Sequence, residues 1–155
     1  MVKPLFELGN QIVVCDTNEE NISRVLEYTA GAKIGDCTNE NFIRSLGVED
    51  FDLVFVTIGE SLQDSLVAVT LLKDNGAKCI FAKAGSDMHE KLLLRLGADK
   101  VVFPERDAGD RLAKICGRNS VFDCFELEGG YSIYEIAVPQ RWVGKSVREL
   151  DVRAK

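Results

Sequence analysis

Short apolar runs alternate with helically spaced apolar positions along the first two thirds of the chain, and this alternation predicts the architecture. Ile12-Val13-Val14-Cys15 is a β run that stops at Asp16, after which Ile22, Val25, Leu26 and Thr29 recur at helical spacing. Ala32 to Gly35 predicts a second strand leading to Asp36-Cys37-Thr38. Thr38 is the expected N-cap of a helix carrying Phe42, Ile43 and Leu46, with Asn41 where a capping box prefers Glu or Gln, and Gly47 ends it. Asp52 to Ile58 is the most strand-like run, and its continuous apolar character predicts burial on both faces. The pattern then gives a helix over 62–75, a strand over 78–84, a helix over 86–96 closing at Gly97, a strand over 100–103 and a helix from Pro104 through about Cys116. Ahead of these, residues 1–8 read as the back half of a helix with Gly9 as its C-cap, and Pro4 suits a first turn or marks a kink.

Repeated strand-then-helix units mean parallel strands joined by crossovers, so the expected fold is α/β, a Rossmann-like doubly wound parallel sheet. Such sheets bind ligands outside the carboxyl ends of their strands. The positions of interest are therefore Asp16, Asp36, Gly59, Lys83 and Glu105. After Gly117 the grammar changes: 121–127 and 131–138 read as two strands around Glu128-Gly129-Gly130, a hairpin extension. From Val143 the tail is short and polar, with no closing element expected.

With 155 residues the chain can bury a real core, and 46% apolar with 28% charged residues is ordinary for a soluble domain. The net charge of −6 is spread along the chain, which argues against a nucleic-acid or membrane-surface binder. No apolar stretch approaches the roughly 18 residues of a membrane span, and no secretory signal is visible, so a cytosolic location is expected. The five cysteines make an odd number without C-x-x-C spacing, which argues against a disulfide framework or a zinc site.

Each candidate has a plainer reading beside the functional one. Asp16 at the tip of a second parallel strand is placed to hold ribose hydroxyls, or to cap the helix after it. Asp36, with Cys37 and Thr38, lines an adenine pocket or caps its own helix. Gly59 is a turn glycine or a point of close backbone approach. Lys83 at the mouth of an apolar strand calls for an anion, such as a phosphate or Asp16, or is solvated. Glu105 by position alone is a first-turn acid. His89, the single histidine, is expected on a polar helical face beside Asp87 and Glu90 as surface decoration. No set of residues composes a catalytic centre, so the site is expected to bind rather than to react.

The segments 13–20, 35–40, 56–59, 81–84 and 96–105 together resemble the nucleotide-binding domain of the RCK family, also called TrkA-N or KTN, and within it the KtrA-type regulatory subunits of bacterial potassium uptake systems. The resemblance implies that Asp16, with Thr17 and Asn18, is the ribose-binding turn, that Asp36, Cys37 and Thr38 form the adenine-side turn, that Ile58, Gly59 and Glu60 form the strand-end loop near phosphates and ribose, and that Lys83 faces the nucleotide. It matches Glu105 to an acid that helps hold a cation (Mg, Ca or Na) where subunits meet. The implied cofactor is an adenine nucleotide, ATP/ADP or NAD(H); Asp16 should disfavour NADPH by repelling its 2′-phosphate.

The implied partners are a second copy, a higher ring (an octamer by family resemblance) and a membrane potassium-translocating subunit, with the chain peripheral to the inner face of the membrane and no nucleic acid. A different class of reading is the cofactor domain of an NAD(P)-dependent oxidoreductase; a third is a structural member of a ring that binds nothing. The expected organisation is a nucleotide-binding domain over 1–118, a hairpin and dimerisation extension over 119–140, and a linker over 141–155 towards a C-terminal ligand-sensing lobe. Family members begin with a strand and a G-x-G-x-x-G turn, and Met1 aligns within the helix after that turn. An N-terminally truncated domain is the expectation, with β edges left unpaired at 12–15 and 53–58 and, if nothing precedes Met1, weak nucleotide affinity and poor solubility.

Overall fold

A computed structural model describes residues 1–59, 61–117, 121–127 and 131–150, and it divides into two compact units, 1–103 and 104–155. The first unit opens with α1 (Val2–Glu7), in which Pro4 falls in the first turn, where its missing N–H has no intrahelical partner to lose. Gly9 comes next with φ of +83°, a conformation that favours glycine. Strand β1 (Val13–Asp16) pairs in parallel with β2 (Gly31–Ile34), with Asp16 opposite Ile34. The helix expected between them is only α2 (Glu19–Ser23), succeeded by a 3-10 turn over Leu26–Tyr28. Ser23 and Thr29 hydroxyls donate to the carbonyls of Glu19 and Leu26, local bonds that compete with helix propagation.

The next helix, α3 (Glu40–Leu46), is capped by Asn39 rather than by Thr38: the Asn39 side chain accepts the N–H groups of Asn41 at 2.9 Å and Phe42 at 3.3 Å. Thr38 is drawn off instead by the Asp36 carboxylate, to which both its N–H and its hydroxyl donate. Gly47 ends α3 with φ of +66°.

A second parallel sheet has the order β3 (Val54–Val56), β4 (Ile80–Lys83), β5 (Lys100–Val102). Helix α4 (Leu62–Asp74) connects β3 to β4, and α5 (Asp87–Arg95) connects β4 to β5. Ser65, Ala68, Val69 and Leu72 of α4 lie at i, i+3, i+4, i+7 and are all buried, the signature of a helix face turned to a core. Ile43, Val48 and Leu93 join Ala68, Val69 and Leu72 against Ile80 and Ala82 in one apolar cluster.

The expectation that 52–58 is buried on both faces does not hold. Val56 is buried, whereas Val54 and Phe55 are half-buried and Leu53 is exposed. Strand β4 shows why, because its residues alternate: Ile80 and Ala82 face the core, while Phe81 and Lys83 are only partly covered. On that outer side Phe81 meets its register partner Phe55 edge to face, ring centroids 5.6 Å apart, and Lys100 lies over the Phe81 ring. Among the described strands β1 bonds only to β2, and β3 only to β4, which leaves each with an edge unpaired among the described residues, as the family resemblance implies for 12–15 and 53–58.

The second unit contains α6 (Pro104–Cys116) and the antiparallel pair β6 (Val121–Glu126) and β7 (Ser132–Ile136), with a register shift between Val121 and Asp123. The predicted turn at 128–130 lies outside the described residues, as do residues 151–155 of the tail. A 3-10 turn at Gln140–Trp142 and a short helix α7 (Val147–Leu150) come after β7, where the sequence pattern predicts no element. The Ser146-x-x-Glu149 capping box explains α7: Ser146 N–H donates to Glu149 Oε2 at 2.7 Å, and Glu149 N–H donates back to Ser146 Oγ at 3.3 Å.

Candidate functional site

Asp16 ends β1, and its carboxylate is held by the turn into α2. Its Oδ1 accepts the Asn18 N–H at 2.8 Å and its Oδ2 accepts the Asn21 side-chain amide at 3.2 Å, while Asn18 in turn caps α2 through the Glu20 N–H at 2.8 Å. Asp36, two residues past β2, repeats the device: its Oδ1 accepts both the Thr38 N–H at 2.8 Å and the Thr38 hydroxyl at 2.7 Å. These two bonds hold the Asp36 carboxyl below the usual carboxylate range.

The two tips are tied together. Gly35 N–H donates to the Asp16 carbonyl at 3.0 Å, so the backbone carrying one acid hangs from the backbone carrying the other. Cys37 is half-buried against the core, and its thiol is pushed up to about 11, first by burial and then by Cys15, Asp36 and Asp16. Burial also raises Cys15, partly offset by Lys33. Both remain thiols at neutral pH, which suits an apolar pocket floor and not a nucleophile.

A second group stands at the tips of β3 and β4. Ile58 packs on the core, Gly59 is exposed, and a Cβ built on Gly59 would lie 3.8 Å from the Lys83 ammonium. Lys83, the last residue of β4, therefore reaches across the neighbouring strand end. Glu60 lies outside the described residues.

The structure thus places Asp16, Asp36, Cys37 and Thr38 on one crown, with Thr17 and Asn18 exposed in the loop beside it, and Ile58, Gly59 and Lys83 on another. Both crowns stand at carboxyl ends of parallel strands, where doubly wound sheets bind ligands. Glu105 belongs to the second unit, exposed in the first turn of α6 with Asp107. Among the described residues no group of three or more His, Cys, Asp or Glu is gathered as a metal site. A single carboxylate is a fraction of the six or more oxygens that Ca²⁺ or Mg²⁺ takes, so a cation at Glu105 needs donors from elsewhere.

The carboxylate of Asp16 can accept about four hydrogen bonds and uses two within the chain among the described residues, which leaves capacity for the vicinal hydroxyls of a ribose. Two partners in this site escape sequence reasoning: Asn21, whose position five residues after Asp16 in the first turns of a helix is the available clue, and Gly35, whose N–H leaves no sequence signal.

His89 is the clear correction. It is not surface decoration: it is 5% exposed, with Nε2 2.6 Å from Ser65 Oγ and Nδ1 accepting the Gly85 N–H at 3.2 Å. Its spacing of four residues from the fully buried Leu93 puts it on the core face of α5.

The family model of the TrkA-N domain matches residues 1–104. The chain is 39% identical to Ktr system potassium uptake protein C of Bacillus subtilis over 153 residues, covering 99% of this chain and 69% of that protein. It is 35% identical to Ktr system potassium uptake protein A of the same organism, again over 99% of this chain and 69% of the relative. Among solved structures, the GsuK channel bound to NAD superposes with a TM-score of 0.62 at 20% identity, over 70% of this chain and 20% of that one.

Proposed function

Because this chain belongs to the TrkA-N domain family, we propose that it is a regulatory domain of a Ktr-type potassium uptake system, which binds an adenine nucleotide at its strand tips and acts on a membrane translocating subunit without catalysing a reaction. The observation that carries the nucleotide reading is the pairing of Asp16 and Asp36 on one crown, joined through the Gly35 N–H. Asp16 takes the ribose hydroxyls, and the half-buried Cys37 with Thr38 forms the adenine side. Gly59 lets the backbone approach the phosphates, and Lys83 supplies the positive charge there. The names of the two Bacillus subtilis relatives support the potassium system, and the NAD-bound GsuK channel supports a nucleotide in this fold.

In this reading 1–118 is the nucleotide-binding domain, 119–140 contributes to pairing with a second copy, and 141–155 leads towards a sensing lobe. Paired copies assemble into a ring on the inner face of the membrane, and Glu105 shares a cation with donors of a second copy. ATP, ADP or NAD(H) selects between two arrangements of the pair by its difference in affinity for them, the only route by which a ligand shifts such an equilibrium.

Calorimetric titration with ATP, ADP, NADH and NADPH tests it. Binding of at least one of the first three is expected, with NADPH weakest, and Asp16→Ala should weaken binding by ~10- to 150-fold, the worth of hydrogen bonds to a charged group. No binding by any of them, or unchanged binding in Asp16→Ala, refutes the site. Substrate-dependent oxidation of NADH or NADPH would replace the regulatory reading with an oxidoreductase one.

A further inference from the structure

The chain's single histidine is built into a clamp beneath the turn after Lys83. Gly85 N–H donates to His89 Nδ1 at 3.2 Å, so the other ring nitrogen carries the proton and donates to Ser65 Oγ at 2.6 Å. The Ser65 hydroxyl donates its own proton to the Leu62 carbonyl at 2.9 Å, and the His89 backbone N–H is held by Ser86 Oγ at 3.2 Å. Both ring nitrogens and the Ser65 hydroxyl thus have assigned roles. Ser65 is 0% and His89 5% exposed, so water cannot replace a lost partner.

We propose that His89 is a positioning residue for the strand-end turn 84–86, and that taking up a second proton frees that turn and with it the placement of Lys83 at the nucleotide. The reason is geometric: a protonated imidazole has a donor at Nδ1, which would face the Gly85 N–H, also a donor. From α4 the ring faces the Ser65 hydroxyl, with Asp64 the adjacent titratable residue. From the turn it faces Gly85 and Ser86, two residues beyond Lys83. On its own helix Asp87 and Glu90 flank it in sequence. Burial depresses the proton affinity of the ring, and none of these charged neighbours contributes to that depression.

The link from the turn to nucleotide affinity rests on the function proposed above; the clamp itself does not. A single histidine makes the test direct, since one imidazole resonance reports it. Gly85 amide exchange, corrected at each pH for the intrinsic rate, and the His89 ring are tracked by NMR from pH 8 downwards through the ring's titration, in the wild type and in His89→Gln. Glutamine offers an acceptor to Gly85 and a donor to Ser65 but does not titrate. NAD affinity is measured across the same range.

Expected are a Gly85 protection factor, the intrinsic exchange rate at each pH divided by the observed one, that falls as His89 takes up its second proton, and an affinity that falls by about 5- to 150-fold in all over the same titration. His89→Gln should keep both at their neutral-pH values, and His89→Ala should weaken binding at every pH. A Gly85 amide indifferent to His89 titration overturns the clamp, as does a His89→Gln protein that keeps the wild-type pH profile. If Gly85 responds to His89 titration while no adenine nucleotide binds at any pH, the clamp stands and the nucleotide site falls.

Discussion

Replacing Gly35 by alanine tests whether the two acid-bearing tips are held in one arrangement. Gly35 sits between β2 and Asp36 and donates its N–H to the Asp16 carbonyl at 3.0 Å. A Cβ on Gly35 would lie 2.2, 2.5 and 2.6 Å from three ring carbons of Phe42, whereas ordinary contact begins at 3.4 Å. The Phe42 ring on α3 must therefore retreat by more than an ångström, or β2 and α3 must part. The backbone of Gly35 has no positive φ, so the cost is this overlap and not strain at the substituted residue.

Overpacking of this size destabilises by about 1–3 kcal/mol. Urea unfolding of Gly35→Ala, Phe42→Leu and the double variant separates the causes. The flexible leucine vacates most of the ring volume, so the double variant should be more stable than the sum of the two single losses by about 1 kcal/mol or more. Additive losses would mean that the Cβ meets no ring, and the packing described for the tip would be wrong. The same variants report on function, because displacing the 35–36 backbone moves Asp36 relative to Asp16: nucleotide affinity should fall in Gly35→Ala and recover in the double variant.

Asp99 Oδ2 accepts the N–H of the fully buried Ile80 at 2.8 Å, so Asp99→Ala should cost about 1–3 kcal/mol in urea unfolding through the orphaned donor. Asp99→Asn keeps that acceptor and loses only the exposed 3.7 Å ion pair with Lys73, a loss of under ~1 kcal/mol; equal losses in both would put the weight on the ion pair instead. Stability should also fall on mild acidification. Burial lowers the folded-state proton affinity of His89, so the unfolded chain binds the proton first as pH falls. The associated stability is complete above the unfolded value of about 6.5 and declines below it, towards the folded value. The urea midpoint should therefore drop between pH 7.5 and 5.5, and His89→Gln should remove that drop. Asp36 and Glu149, both held low by hydrogen bonds, contribute only in the more acid carboxylate range.

What the sequence made legible was the order of elements and the ends of strands. Asp16, Asp36, Gly59 and Lys83 were identifiable because a parallel strand stops where its apolar run stops, and ligands gather there. Where local side-chain bonds compete with the backbone, pattern reading failed. Thr38 has the composition of an N-cap, yet Asp36 captures both of its donors and the cap passes to Asn39. The apolar positions at 22, 25, 26 and 29 look like one helix, but hydroxyls at 23 and 29 help to break it into a short helix and a 3-10 turn. The run 52–58 shows the limit of reading burial from composition: continuous apolarity can be met on one face by a core and on the other by a cross-strand aromatic pair. His89 reads as a surface residue because its polar sequence neighbours outweigh its spacing to Leu93. Its partner Ser65, twenty-four residues earlier, gives no sequence signal at all.

Each compact unit contains one side chain that occurs nowhere else in the chain: the lone imidazole at 89 in 1–103, and the lone indole at 142 in 104–155. Nature has in effect labelled the halves with different probes. Melting monitored by tryptophan emission reads the second unit, and the imidazole proton resonance reads the first. Coincident curves would mean cooperative loss of both halves, and separated curves would give the order in which they come apart, with no foreign dye attached.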